Sequence, residues 1–86
     1  MTREQLLVKN RKGKWVQRFY EHIKHTQTPT EDDLAFLSQH QALGSRIREA
    51  AVSCGCGPRL IANIDLIQLQ ILRWVETYST YLEAIK

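Results

Sequence analysis

The last third of the chain constrains the fold more than any other part. From Pro58 to Ile85, the residues Leu60, Ile64, Ile67, Ile71, Trp74, Val75, Tyr78, Leu82 and Ile85 recur at three- and four-residue steps, the period that gathers side chains on one face of an α-helix. Pro58 suits the first helical position, because a helix N-terminus leaves that N–H unpaired in any case. A helix over residues 58–85 is about 42 Å long. A compact chain of 86 residues has a diameter of only ~31 Å, so the helix is expected to overhang its own domain.

The same segment carries a second apolar strip, Leu66, Leu69 and Leu72, on the other side of the cylinder. A helix that is apolar on two sides is normally buried on two sides, and shorter upstream helices cannot wrap both along the whole length. The strip, with neighbouring Arg73 and with Tyr81 near the far end, is therefore the expected protein interface. Its partner would be a second copy of the chain, as in a homodimer, or a larger protein.

Upstream, Trp15, Val16, Phe19, Tyr20 and Ile23 keep helical spacing and predict an amphipathic helix over about residues 14–26. Residues 1–13 allow a short first helix capped by Thr2 and stopped at Gly13, or a β-hairpin turning at Asn10–Gly13; the helix is favoured. In the stretch Thr28–Leu37, Thr28 with Glu31 forms a Thr-x-x-Glu capping box, and Pro29 sits at the first helical position. Asp32 and Asp33 add negative charge at the positive end of the helix dipole. The helix begun there is expected to run from about residue 29 to 53. Phe36, Leu37, His40, Leu43, Ile47, Ala50, Ala51 and Cys54 form one stripe across Gly44, which would let a neighbouring backbone approach closely. A break at Leu43–Ser45 is the alternative. The expected architecture is all-α, a three- to four-helix antiparallel bundle in a single domain over residues 1–86.

Both cysteines lie in Ser53–Leu60, a stretch that also holds Gly55, Gly57 and Pro58. Cys54 and Cys56 with His22 and His25 make a two-Cys, two-His count for zinc. However, the Cys-x-Cys spacing is tight, and the two histidines fall on the solvent side of their helix. The favoured reading is a hinge: a glycine in the left-handed conformation closes one helix, Pro58 opens the next, and Cys54 packs as a small apolar residue. A further reading gives Arg59 and the free amides of the helix start an anion to hold. No cofactor is expected. His40, between Phe36 and Leu43, reads as a buried structural histidine.

The charge is uneven. Residues 1–28 hold seven basic and two acidic side chains, and residues 29–86 hold five basic and seven acidic ones. Lys9, Arg11, Lys12, Lys14 and Arg18 are therefore the candidate phosphate contacts if nucleic acid is the partner. There is no paired carboxylate in an apolar context, no nucleophile with an evident base and no glycine-rich phosphate loop, so an enzyme with a small-molecule substrate is not expected. The N-terminus lacks a secretory pattern, and the most apolar segment is interrupted by Asn63, Asp65, Gln68, Gln70 and Arg73. A cytoplasmic location away from the membrane follows as the expectation. The functional expectation is a non-catalytic helical adaptor or regulator working through its C-terminal helix, and the alternative is a nucleic-acid-binding regulator.

Overall fold

The computed structural model describes residues 2–86, which form three helices: α1 (Arg3–His25), α2 (Glu31–Ser53) and α3 (Pro58–Ala84). No strand occurs among the described residues, so the hairpin over residues 1–13 does not form. Neither does a separate first helix, because α1 runs straight through Gly13. The start of that helix is as expected: the Thr2 hydroxyl accepts from the Gln5 amide, and the Gln5 side chain accepts from the Thr2 amide. Gly13 costs a helix roughly 1 kcal/mol relative to alanine. That loss is outweighed because Val8 before it and Trp15 and Phe19 after it share one buried face, and interrupting the helix would expose them.

The second helix starts two residues later than the capping pattern suggests. Its N-cap is Thr30, whose hydroxyl accepts from the Asp33 amide, while Asp33 Oδ2 accepts from the Thr30 amide at 2.8 Å and from its hydroxyl at 2.9 Å. Pro29 lies outside the helix. Two overlapping capping boxes compete here, Thr28 with Glu31 and Thr30 with Asp33. The second also brings Asp33 Oδ1 to 2.9 Å from His22 Nε2 on α1, a contact between helices that local sequence does not reveal.

No break occurs at Leu43–Ser45. The helix continues to Ser53 and closes at Gly55, whose φ of 67° is left-handed. The Cys56 amide donates to the Ala51 carbonyl and the Gly55 amide to the Val52 carbonyl, the two bonds of a Schellman ending. In that motif the residue after the glycine folds back onto the last turn, so Cys56, rather than Cys54, becomes the more deeply buried cysteine. Pro58 then opens α3 as expected.

Short connections make successive helices antiparallel. Arg48 Nε donates to Asp65 at 2.7 Å, Gln68 donates to the Gln41 carbonyl at 3.1 Å, and Lys86 lies near Glu31, so α2 and α3 run in opposite directions along their lengths. The Gln5 side chain reaches the Gly55 carbonyl, placing the start of α1 beside the end of α2. All three helices are long, and the bundle measures 49 × 18 × 16 Å. The elongation that was expected of α3 alone is thus shared by the whole domain. The core holds Trp15, Phe19, Leu37, Ile64 and Ile71, closed by Tyr78 and Leu82 toward the far end. Leu43, Trp74, Tyr20 and Ile85, expected on covered stripes, remain partly exposed. Tyr20 donates its hydroxyl to Gln70 at 2.6 Å across the seam between α1 and α3.

Candidate interaction surfaces

A reciprocal joint sets the register of α1 against α2. Trp15 Nε1 donates to the His40 carbonyl at 2.8 Å, and His40 Nε2 lies 2.5 Å from the Trp15 carbonyl. A carbonyl only accepts, so His40 Nε2 carries the proton. The His40 ring stacks with Phe36, at 5.3 Å between centroids, and Phe36 stacks in turn with His22 at 4.0 Å. His40 is buried, and it acts as the structural histidine expected from its place on the stripe.

Burial holds the His40 imidazole below its ordinary value of 6.5. The bond to the Trp15 carbonyl opposes the shift, and the nearby charges of Arg18 and His22 reinforce it. The unfolded chain therefore takes up this proton at a higher pH than the folded one does. The stabilisation is complete above 6.5 and is lost as pH falls from there toward the folded value. At Asp33, burial alone would raise the carboxyl, but the Thr30 amide and hydroxyl together with His22 hold it below 3.8. Its share of stability is present above 3.8 and lost on further acidification. Urea midpoints should accordingly fall between about pH 7.5 and 5, with the His40 ring carbon resonances titrating below 6.5. A His40 that titrates at or above 6.5 would contradict the burial argument.

The second apolar strip of α3 is left uncovered by its own chain. Leu66 is 59% exposed and Leu69 47%, and Leu72, Arg73 and Tyr81 are exposed as well. At 100° per residue, Leu66, Leu69 and Arg73 share one line with Ala62 and Glu76. Leu72 lies at the edge toward α2, and Tyr81 is displaced toward α1, so the structure does not bring Tyr81 onto the strip. Ala62 and Glu76 escaped the sequence reading, although the alternating four- and three-residue steps through Leu66, Leu69 and Arg73 point to both.

The five N-terminal cations do not form one surface. Arg11, Lys14 and Arg18 face α2 and meet Arg46 across a trough of about 340 Å³ floored by Leu43, Trp15 and Ile47. Lys9 and Lys12 turn to the other side of α1 and flank a hollow of about 300 Å³ at the start of α3, beside Arg59 and Cys56. Arg46 lies far from the basic segment in sequence, and only the packing of the two helices brings it to Arg11 and Arg18. The zinc set separates too. His22 and His25 lie near the start of α2, and Cys54 and Cys56 near the start of α1, at opposite ends of the bundle. Among the described residues no three His, Cys, Asp or Glu side chains converge as metal ligands, and no helix is long and apolar enough to cross a membrane. Comparison with family models, curated proteins and solved structures gives no match.

Proposed function

We propose that this protein is a non-catalytic adaptor that pairs with a second copy of itself through the outer face of α3. The reading is carried by the uncovered strip Arg59, Ala62, Leu66, Leu69, Arg73 and Glu76, whose alternating three- and four-residue steps are those of a helix–helix seam. Laid against itself in the antiparallel sense, the strip is self-complementary. Leu66 meets Leu69 of the second copy, Arg59 meets Glu76, and Arg73 falls opposite Ala62, where a small side chain leaves room for it to reach Asp65. A two-fold axis repeats each of these contacts, as an isologous dimer requires.

The alternative, a nucleic-acid-binding regulator using Lys9, Arg11, Lys12, Lys14 and Arg18, has less support. The cations divide between two seams, and Trp15 and Phe19 are buried, so neither ring is free to stack on a base.

Sedimentation equilibrium tests the self-pair. The expected result is a species of twice the chain mass at roughly 10–100 μM, a concentration range suited to modest interfaces. Leu69→Lys should sediment as a folded monomer. Arg59→Glu should weaken the pair, and adding Glu76→Arg in the same chain should restore it by re-forming the exchanged ion pair. A wild-type monomer across that range, or an unchanged mass for Leu69→Lys, would overturn the reading.

A further inference from the structure

The seam between α1 and α2 faces away from the outer side of α3, and it has a character of its own. Arg11, Lys14 and Arg18 rise on successive turns of one bank, and Arg46 stands on the other. The ion pairs among the described residues are His22–Asp33, Arg48–Asp65 and Lys86–Glu31, and they include none of these four cations. Four like charges beside one trough repel each other, and a ligand bearing carboxylates or phosphates relieves that repulsion.

The floor decides between those two chemistries. It is aliphatic at the surface: Leu43 is 38% exposed in the trough, and Leu7, at 49%, lines a neighbouring hollow past Arg11. Glu4 ends the cationic stretch there, so the apolar side chains of a ligand and not its carboxylates would lie in that hollow. Trp15 contributes to the floor but is only 1% exposed, so it offers no face on which a base could stack. A nucleic-acid backbone would satisfy the arginines and leave both leucines in contact with a charged, hydrated strand. A peptide that alternates acidic and apolar side chains satisfies cations and leucines together. The distance along α1 from Leu7 to Arg18 is about 16 Å, three turns of a docked helix.

We infer that the α1–α2 trough is the docking site for an acidic amphipathic segment of a partner protein, held by carboxylates on Arg11, Lys14, Arg18 and Arg46 and by apolar side chains on Leu7 and Leu43. The inference is independent of the self-pairing of α3, because the two surfaces lie on opposite sides of the bundle.

Fluorescence polarisation with a synthetic helical peptide of about 16 residues, the roughly 11 that span the trough with a short overhang at each end, carrying leucines on one face and glutamates flanking them, tests it directly. Saturable binding in low salt is expected. It should weaken roughly tenfold for the Arg11→Gln, Lys14→Gln, Arg18→Gln triple variant, and equally when the peptide glutamates become glutamine. Leu43→Ser should weaken it by about fivefold, and Leu69→Lys should leave it unchanged. The cations and Leu43 are surface positions, and an unchanged circular dichroism spectrum verifies that the variants fold. Three results would overturn the inference: no saturable peptide binding at low salt; equal binding of the glutamine peptide; or tighter binding of a single-stranded RNA or DNA of similar length that is insensitive to Leu43→Ser.

Discussion

Trp15→Ala should destabilise the domain by about 3–5 kcal/mol, the range for truncating a large buried aromatic. The indole is 1% exposed, bonded through Nε1 to the His40 carbonyl, and stacked 5.8 Å from the His40 ring. It joins α1 to α2 by packing and by a hydrogen bond together. A chain of this size has a total stability of roughly 4–13 kcal/mol, so the substitution removes a large part of it. It should lower Tm by about 15–30 °C in a thermal melt followed by circular dichroism. The reciprocal bond from His40 Nε2 goes to the main-chain carbonyl of residue 15 and can survive the substitution. The loss therefore reports packing more than hydrogen bonding. Trp15→Phe, which keeps much of the ring volume, should cost about 1–2 kcal/mol. A loss under about 1 kcal/mol for Trp15→Ala would show that the cavity collapses and that the joint does not set the register.

That joint also marks where the sequence is legible and where it is not. Helical periodicity identified α3, the continuity of α2 and the buried face containing Trp15 and Phe19, because each of these is a pattern within one segment. The Gly55–Pro58 stop and start was equally plain, since a left-handed glycine and a proline at a helix start are local backbone facts. Gly13 misled, because local propensity argues for a stop there while the force that carries the helix across is burial of Val8 and Trp15 against other helices. The start of α2 misled for a related reason: two capping boxes overlap, and the choice of Thr30 with Asp33 goes with a contact to His22 on α1. The leucine strip of α3 was legible as a second apolar period. The cationic trough was not, since Arg46 joins Arg11 and Arg18 only once Trp15 and His40 have fixed how α1 slides along α2.

Gly44→Ala should destabilise the domain by about 1–3 kcal/mol, the reverse of what helix propensity alone predicts. Alanine in a helix interior is favoured over glycine by roughly 1 kcal/mol, so at an uncrowded site the substitution would stabilise. Gly44 is buried in α2, and a Cβ there would come within 2.8 Å of Trp15 Cε2 and 2.9 Å of Gln68 Cδ, and closer still to another atom of the indole. The close approach expected at this glycine is thus made by a side chain and not by a neighbouring backbone. The indole has little freedom to retreat, because Nε1 is tied to the His40 carbonyl. Gln68 is bonded to the Gln41 carbonyl and the Ser45 hydroxyl, so its movement would strip two polar contacts. The interference can be separated from any intrinsic property of residue 44 by a double-mutant cycle. In the Trp15→Ala background the clash with the ring is gone and only the contact with Gln68 Cδ remains, so Gly44→Ala should become less destabilising by about 1–2 kcal/mol. Urea unfolding of the four proteins measures that difference. If Gly44→Ala destabilises equally with and without the indole, the contact with Trp15 is not the reason for a glycine at this position.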